Sequence, residues 1–475
     1  MTSSAAWDLA FGIIAVLFIF AFAVGARRTL AIGALLILIP FQMVETRYGS
    51  SSVLMAYALG AVSILTGGIK LRMLPALGLI VLGYFVSFAM ADRVNLLMHA
   101  VEMFQFFSAL VVFLLAYNFA RSVETERSVL DVLLVINALA GAYCALQLTA
   151  GPGERFTPFG IESLAFNVNR NPDDPRLVGP FGNPGSTAGY FTLMTLVCAV
   201  EYIFARGRRK LMVQLLIGLN LLGLVATGNR TGFLILVAMF PVFLYVFRRE
   251  LGAKRITTYL IGGVAALAIA SAVAVFYTDF GRMFQRLDKV TETEAGVPTT
   301  RSETWPVAIE KFKQDPWFGD GPYFPKAEAL AEKGELRVEF EELGELTTAF
   351  DPYPHSLYLY LLRTVGIIGL VPVVGFFLWT WRVLYAATQR ETPDQYRFAI
   401  VRLGLLVIPA FLVAQITLEF NRSDTMDYAQ FIFALMGLLV GTSDRDRQPV
   451  GASRAVSLPE RRLRGELGRH EPAVR

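Results

Sequence analysis

Long apolar runs separated by short polar connections make up most of the chain. A helix needs about 20 apolar residues to cross a bilayer, and thirteen of the runs are near this length. The pattern predicts an all-α, polytopic transmembrane helical bundle with about 12–13 spans. The runs occupy residues 7–25, 29–45, 53–68, 73–91, 96–119, 129–149, 185–204, 211–227, 231–247, 256–276, 355–381, 398–418 and 428–442.

Two connections are much longer than the others. Residues 150–184 are rich in Pro, Asn and Gly, which predicts ordered turns on the bundle, and residues 277–354 contain an amphipathic stretch at 305–314. That stretch favours a small, partly helical cap. The predicted organisation is N-terminal transmembrane helices at 1–149, a periplasmic loop at 150–184, transmembrane helices at 185–276, a large periplasmic loop or cap at 277–354, C-terminal transmembrane helices at 355–442, and a basic cytoplasmic tail, expected to be disordered, at 443–475.

Composition narrows the class of protein. Hydrophobic residues make up 55% of the chain, charged residues 17%, and the mean hydropathy is +0.51. Since a soluble chain is nearer a quarter charged, soluble enzymes, secreted disulfide scaffolds and disordered chains are excluded. Cys144 and Cys198 lie in apolar runs and are interpreted as small buried hydrophobes rather than a disulfide or a zinc site. The net charge of +4 gives no indication of nucleic-acid binding.

Lys and Arg are concentrated in alternate connections, and this asymmetry predicts the orientation. Cytoplasmic loops carry the excess of positive charge, which places the basic connection at 205–210 in the cytoplasm. The two long loops then lie on the opposite side of the membrane. The amino terminus is expected outside and the tail inside.

Ionisable side chains are concentrated at the external ends of the predicted spans. Such residues are costly at the centre of a bilayer, and the predicted span centres contain almost none. A pair of interrupted helices in matching halves, which transporters often use, is not apparent, and no external cluster of His, Asp and Glu has the spacing of a metal site. The sequence therefore predicts an outward-facing site without metal or cofactor. The candidate residues are Arg176, Arg230, Arg301, His355, Arg363, Glu419 and Arg422.

Arg230 lies in a short external turn between two apolar runs, with Gly228 and Gly232 on either side. Glycine lets a ligand approach the backbone closely, and the planar guanidinium suits phosphate oxygens. Arg230 is therefore a candidate phosphate ligand. The alternative is an interfacial anchor that extends to lipid headgroups.

His355 follows Pro354 at the predicted start of the eleventh span. An interfacial imidazole can take a proton from a sugar hydroxyl, although a structural histidine is an equally plausible interpretation. Arg363 would lie about 12 Å deeper along the helix, and Glu419 is one candidate partner for it. Arg301 precedes the amphipathic stretch, and an ordinary surface salt bridge is the alternative interpretation for it.

At these segments the chain resembles the bacterial O-antigen ligase and polysaccharide polymerase family. The resemblance covers roughly residues 176–372, and its most specific part is 355–369. Ser356 departs from the family pattern, which often has Asn there. The other matching segments are 227–232, Arg301 with Trp305 and 316–321, and, more weakly, 179–183.

The resemblance implies a multi-pass enzyme of the bacterial inner membrane with its active site facing the periplasm. It implies transfer of glycan from an undecaprenyl pyrophosphate carrier to an acceptor sugar, with His355 as base and Arg230 and Arg301 as pyrophosphate ligands. Arg176, Arg363 and Glu419 are added here as candidate substrate-binding residues. The reaction is expected to be metal-independent and to invert the anomeric carbon.

Four functions remain open beside one another. The favoured one is a polymerase for an exopolysaccharide or O-antigen, and the nearest alternative is an O-antigen ligase that uses lipid A-core as acceptor. Two alternatives come from other functional classes. One is a polysaccharide-lipid flippase or transporter, and the other is a non-catalytic scaffold. The expected partners are the lipid-linked donor, the acceptor, the lipid bilayer and further polysaccharide assembly proteins, but not nucleic acid.

Overall fold

The computed structural model shows an all-α, polytopic membrane protein. It describes residues 28–41, 45–46, 49–66, 69, 73–90, 96–123, 126–150, 155–156, 163–164, 166–167, 176–252, 301–321, 354–389, 395–417 and 426–444. The principal helices are α1 (Arg28–Leu38), α2 (Ser51–Leu65), α3 (Leu74–Met90), α4 (Leu96–Ser122), α5 (Glu126–Ala150), α6 (Pro184–Phe204), α7 (Gly207–Ala226), α8 (Arg230–Val246), α9 (Arg301–Gln314), α10 (Leu357–Thr388), α11 (Gln395–Ala414) and α12 (Met426–Ser443).

Strand structure within the described ranges is limited to three two-stranded antiparallel hairpins. Each strand has two residues, so these pairs act as turns and not as a sheet. The pairs are β1 (Glu45–Thr46) with β2 (Gly49–Ser50), β3 (Arg155–Phe156) with β4 (Ser163–Leu164), and β5 (Phe166–Asn167) with β6 (Arg176–Leu177).

The helices coincide with the predicted apolar runs. Eleven of the thirteen runs overlap one of these helices, while the runs at 7–25 and 256–276 lie outside the described residues. Within the described part of the chain, seven helices are long and apolar enough to cross a membrane, and three more apolar helices are shorter. The seven are Ala100–Ser122, Arg127–Thr149, Pro184–Phe204, Gly207–Ala226, Leu357–Thr388, Tyr396–Ala414 and Met426–Ser443.

Helix α12 lies at the centre of the bundle and is buried along its length. Gly437 and Gly441 are four residues apart, and both face the backbone of α4 closely. A Cβ on Gly437 would overlap the carbonyl oxygen of Phe113, and a Cβ on Gly441 would overlap that of Tyr117. Helices approach closely in membranes where small residues meet at this spacing. The α4–α12 pair is therefore the axis around which the remaining helices pack.

The bundle has one end, called here the outer end, where α8 and α10 begin and α11 finishes. The segment 176–183 packs there ahead of α6, with Leu177 and Phe181 fully buried. Asn183 caps α6, since its side-chain oxygen accepts hydrogen bonds from the backbone N–H groups of Gly185 and Ser186 at 2.8 and 3.3 Å. This end carries the residues considered next.

Candidate functional site

Arg230 is the first residue of α8 and is half-buried. The side-chain oxygen of Asn229 caps this helix by accepting a hydrogen bond from the backbone N–H of Gly232 at 3.1 Å. Gly228 makes the preceding turn with a φ of 62°, which a side-chain-bearing residue rarely adopts. A helix start presents N–H groups and the positive end of the helix dipole. Arg230 therefore lies where an anion is favoured.

Arg176 lies against the same turn. A Cβ placed on Gly228 would be 3.8 Å from the Nε atom of Arg176, whose side chain is exposed. Two of the seven candidate residues, Arg176 and Arg230, thus flank one short turn. Their residue types and position suit an anionic ligand approaching from outside the bundle.

His355 lies just before α10, in a turn with an unusual backbone. Its φ is 49°, and it is the one described residue other than glycine with a positive φ. Histidine is enriched there relative to most residues, yet the conformation still costs of order 1–3 kcal/mol. The imidazole is half-buried and lies two residues before Leu357, the first residue of α10, whereas the sequence predicted it in the first turn of the helix. Strained residues of this kind cluster at functional sites.

The His355 turn is fixed to α11. The backbone N–H of Leu357, the first residue of α10, donates to the carbonyl oxygen of Gln415 at 3.0 Å. The hydroxyl of Tyr358 donates to the carbonyl oxygen of Leu412 at 2.6 Å. Each bond pairs a group that a helix end would otherwise leave unsatisfied. The position of His355 is thereby set by the end of α11.

Helix α9 also contacts the His355 turn. The indole N–H of Trp305 donates to the carbonyl oxygen of Pro354 at 2.8 Å. Arg301 begins α9 one turn earlier, so the structure extends the predicted amphipathic stretch by four residues. The side chain of Arg301 lies outside the described part of the structure. The bond places the start of α9 beside the start of α10.

A third contact joins α11 to α8. The hydroxyl of Thr417 donates to the hydroxyl oxygen of Thr231 at 3.0 Å. Thr231 directly follows Arg230. The contacts Thr231–Thr417, Leu357–Gln415 and Trp305–Pro354 form a continuous series. The backbone positions of Arg230, Arg301 and His355 are thus linked at the outer end.

Arg363 lies inside α10 and is 3% exposed. Glu419, proposed as its partner, lies outside the described residues, as does Arg422, so that pairing stays a prediction. The carbonyl oxygen of Arg363 accepts a hydrogen bond from the backbone N–H of Asp320 at 2.8 Å. The contact joins Arg363 to the segment 315–321, which follows α9.

Helix α10 is interrupted at Gly366, a feature that the sequence analysis did not predict. Gly366 has φ 61° and ψ −166°, a region open almost only to glycine. The N–H groups of Ile367 and Ile368 donate to the carbonyl oxygens of Pro316 and Trp317 at 3.0 and 3.2 Å. The segment 315–321 therefore satisfies backbone groups that the interruption would leave unpaired.

Two further hydrogen bonds hold the segment 315–321. The N–H of Gly321 donates to the carbonyl oxygen of Thr364 in α10 at 3.0 Å. The hydroxyl of Ser87 in α3 donates to the carbonyl oxygen of Phe318 at 2.5 Å. Non-helical backbone is tolerated at membrane depth only where protein covers it. The external loop is thus built into the bundle at this point.

Lys311 is a charged residue of this site that sequence reasoning missed. It lies in α9, three residues before Gln314, and is half-buried. Burial and, to a smaller extent, the charge of Arg363 lower the pKa of Lys311 to about 8, against the opposing effect of Asp320. Lys311 therefore lies within electrostatic range of both residues. The amphipathic spacing of α9 did not predict this electrostatic effect, because Arg363 belongs to α10, a later helix in the chain.

Gln415 is a second residue that the sequence analysis missed. Its side chain is fully buried, and neither its Nε2 nor its Oε1 atom has a hydrogen-bond partner within the described part of the chain. The backbone carbonyl oxygen of Gln415 accepts a hydrogen bond from the N–H of Leu357, two residues after His355. A buried amide without partners costs about 1–3 kcal/mol. Such a group beside the His355 turn calls for a functional explanation.

The described residues contain no group of three or more His, Cys, Asp or Glu side chains able to hold a metal ion. The charged side chains described at the outer end include Arg176, Arg230, Lys311 and Arg363, together with the acidic residues Glu102, Asp320 and Asp427. The four cations suit an anionic ligand with several oxygens.

Comparison with known proteins adds one finding. Residues 215–374 match the model of the family Wzy_C, described as O-antigen ligase. The match covers about a third of the chain and includes Arg230, Arg301, Lys311, His355 and Arg363. A search of curated proteins found no match.

Proposed function

We propose that this chain, of which residues 215–374 match the O-antigen ligase family model, is a polysaccharide polymerase of the bacterial inner membrane with its active site facing the periplasm. The family match and the apolar helices support a multi-pass membrane protein of the O-antigen ligase/polymerase type of glycosyltransferase. The proposed donor is a glycan on undecaprenyl pyrophosphate. The proposed acceptor is a sugar hydroxyl of a second glycan.

The observation that carries this proposal is the series of contacts at the outer end. The indole N–H of Trp305 donates to the carbonyl oxygen of Pro354, and the backbone N–H of Leu357 donates to that of Gln415. The hydroxyl of Thr417 donates to the hydroxyl oxygen of Thr231. These bonds link the backbones that carry Arg301, His355 and Arg230. A base and two pyrophosphate ligands for one reaction must be near each other, and this arrangement supports that role.

The proposed reaction begins when His355 removes the proton from the acceptor hydroxyl. The acceptor oxygen forms a bond to the anomeric carbon while the bond from that carbon to the phosphate oxygen breaks. The bonding electrons leave with undecaprenyl pyrophosphate. Attack opposite the leaving group inverts the anomeric carbon.

Arg230 and Arg301 are proposed to stabilise the negative charge that grows on the departing pyrophosphate. Preorganised cations and N–H groups at such a position are often the largest single contribution to catalysis. The start of α8 adds the positive end of its helix dipole next to Arg230. Arg176, which passes Gly228 at the same turn, is proposed to contact the same group.

We further propose that transfer needs no metal, since the arginines supply the positive charge. A chelator added to the purified protein should then leave the rate of transfer unchanged. Loss of transfer with chelator, restored by one divalent cation, would contradict this part of the mechanism.

An O-antigen ligase is the second candidate, favoured by the description of the matching family. The two activities share the donor chemistry and differ in the acceptor. The same match supports a transferase over a flippase or a scaffold.

The test uses the full-length protein in lipid nanodiscs with a defined glycan on undecaprenyl pyrophosphate. A polymerase extends the donor itself into a ladder of products, whereas a ligase needs added lipid A-core. Arg230→Lys and Arg301→Lys keep the charge but lose the forked geometry, and a loss of about 100-fold corresponds to about 2.7 kcal/mol. Absence of products with either acceptor, at normal protein folding, would contradict the proposal.

A further inference from the structure

A cavity of about 270 Å³ lies at the end of the bundle opposite the outer end. One wall is the last part of α10, where the lining side chains are three or four residues apart and therefore share one face of the helix. The other wall is the end of α12. The lining of this inner cavity includes Trp379, Arg382, Val383 and Ala386 from α10, with Ser443 and Asp444 at the end of α12.

Aromatic side chains on the adjoining face of α10 indicate how deep the inner cavity lies. The rings of Trp381 and Tyr385 stack with centroids 5.6 Å apart, and both side chains are exposed. Exposed Trp and Tyr side chains of membrane helices are enriched at the level of the lipid headgroups. Since these two residues belong to the same turns as Arg382 and Ala386, the cavity opens at headgroup depth.

The acidic wall of the inner cavity is held in place by two other helices. The hydroxyl of Tyr117 in α4 donates to Oδ2 of Asp444 at 2.7 Å. Nη2 of Arg397 in α11 donates to the carbonyl oxygen of Ser443 at 3.1 Å. Asp444 is 2% exposed. A carboxylate accepts about four hydrogen bonds, so Asp444 can serve a ligand in the cavity as well as Tyr117.

The opposite wall carries the other sign of charge. Arg382 is exposed, and the α10 residues beside it in the lining, Trp379, Val383 and Ala386, are apolar or aromatic. A guanidinium suits a phosphate through its planar fork of donors. A ligand that matches the cavity therefore combines a phosphate, a cation a short distance away and an apolar part.

We propose that the inner cavity binds the headgroup of an aminophospholipid, with phosphoethanolamine as the recognised chemistry. Arg382 binds the phosphate, Asp444 accepts hydrogen bonds from the primary ammonium, and Trp379 and Val383 contact the glycerol and the first methylene groups. Pockets between membrane helices that carry charge at this depth are a known means of recognising lipid headgroups. The site lies at the other end of α10 from His355, so it is separate from the proposed glycan site and goes beyond the proposed function.

Two other phospholipid headgroups test the two charges separately. Phosphatidylcholine has the same phosphate and positive charge but no N–H group to donate to Asp444. Phosphatidylglycerol has the phosphate without a cation, so the carboxylate of Asp444 repels it. We expect phosphatidylethanolamine to bind at least fivefold more tightly than either lipid when the acyl chains are the same.

Binding is measured by native mass spectrometry of the full-length protein in detergent, titrated with each lipid. Arg382→Gln removes the phosphate contact, and Ala386→Phe fills the cavity. Both side chains are exposed, which favours correct folding of these variants. We expect each to weaken binding of phosphatidylethanolamine at least fivefold. Asp444→Asn should reduce the preference for phosphatidylethanolamine over phosphatidylcholine to less than twofold.

Arg248→Gln is the matched control. Arg248 is an exposed cation beyond the end of α8, at the same end of the bundle, and stacks on the ring of Tyr245 at 4.2 Å outside the inner cavity. It should bind phosphatidylethanolamine like wild type. Equal binding of the three lipids by wild type, or equal effects of Arg382→Gln and Arg248→Gln, would overturn the inference and make Arg382 an ordinary interfacial anchor. Tighter binding of phosphatidylglycerol than of phosphatidylethanolamine would overturn it as well.

Discussion

The indole N–H of Trp305 and the carbonyl oxygen of Pro354 are 2.8 Å apart and form a hydrogen bond between two segments that are 49 residues apart in sequence. Pro354 immediately precedes His355, and Trp305 lies one turn after Arg301. The proposed base and one proposed pyrophosphate ligand are therefore coupled through a single bond. The bond fixes the backbone immediately before His355.

Replacing Trp305 with Phe tests this coupling. Phe keeps most of the apolar contact of the ring but cannot donate to the carbonyl of Pro354. A hydrogen bond of this kind is worth about 1 kcal/mol, so we expect turnover to fall by up to about tenfold. Donor binding should change little, because Arg230 and Arg301 remain. Turnover and donor binding are measured on the same purified variant.

Trp317→Phe is the matched control, since the Trp317 side chain is 58% exposed. It should show wild-type turnover. If Trp305→Phe and Trp317→Phe behave alike, the Trp305 bond has no role in positioning His355.

Much of the fold was predictable because apolar length and periodicity are local properties of the sequence. The runs at 96–119 and 428–442 became α4 and α12, and Arg230, expected at the end of a short turn, is the first residue of α8. The amphipathic stretch at 305–314 also became a helix. Its start at Arg301 was missed because the residues before Trp305 show no apolar periodicity.

The interruption of α10 was not predictable for a physical reason. Gly366 lies in an apolar run that would continue as a helix by local preference alone. The break forms because Pro316, Trp317 and the residues after them supply hydrogen-bond partners from a segment about 50 residues earlier. Lys311 was missed for the same reason, since the burial and the charges that lower its pKa come from packing against distant parts of the chain.

Gly366→Ala should therefore destabilise the protein strongly. A methyl group there would overlap the carbonyl oxygen of Trp317, and its φ of 61° is strained for alanine. The backbone strain alone costs about 1–3 kcal/mol. Gly375→Ala is the control in the same helix, because a Cβ there has no atom within 4 Å. The thermal midpoint of each purified variant, measured by intrinsic fluorescence, should fall clearly for Gly366→Ala only.

The orientation of the bundle can be tested with cysteine labelling. Both native cysteines, Cys144 and Cys198, are buried, so an introduced exposed cysteine gives a clean signal. Lys313→Cys lies on the proposed periplasmic side, and Arg208→Cys, exposed at the start of α7, lies on the proposed cytoplasmic side. A membrane-impermeant maleimide should label Lys313→Cys in spheroplasts, but Arg208→Cys only after lysis. Labelling of both before lysis would contradict the proposed topology.

Gln415→Leu tests whether the buried amide beside the His355 turn serves the substrate. Leucine fills a similar volume and removes two polar atoms that have no hydrogen-bond partner within the described chain. We expect the thermal midpoint to rise, because an unsatisfied buried amide costs about 1–3 kcal/mol. We also expect turnover to fall, since stability and activity commonly oppose each other at active sites.

Gln430→Leu is the comparison for this prediction. The amide of Gln430 donates to the hydroxyl of Ser108 at 2.8 Å, so its loss should lower the midpoint and leave turnover per folded molecule unchanged. Unchanged turnover in Gln415→Leu would assign that amide no part in transfer.

The role of His355 can be separated from its backbone strain by choosing the substitute. Asn adopts a positive φ more readily than most residues, so His355→Asn should keep the turn at φ 49°, although it cannot act as a base. A general base contributes about 10²- to 10⁴-fold. We expect His355→Asn to fold, to keep a thermal midpoint near that of wild type and to bind the lipid-linked donor, yet to lose turnover by that factor.

His355→Gln adds the complementary measurement, because Gln is also polar but tolerates a positive φ less well. It should lose turnover as fully as His355→Asn and show a lower thermal midpoint. If the histidine is only structural, the order reverses: His355→Asn keeps appreciable turnover, and the loss in His355→Gln follows its loss of stability. Turnover per folded molecule in the two variants decides between these cases, and substantial turnover in His355→Asn would remove His355 from the mechanism.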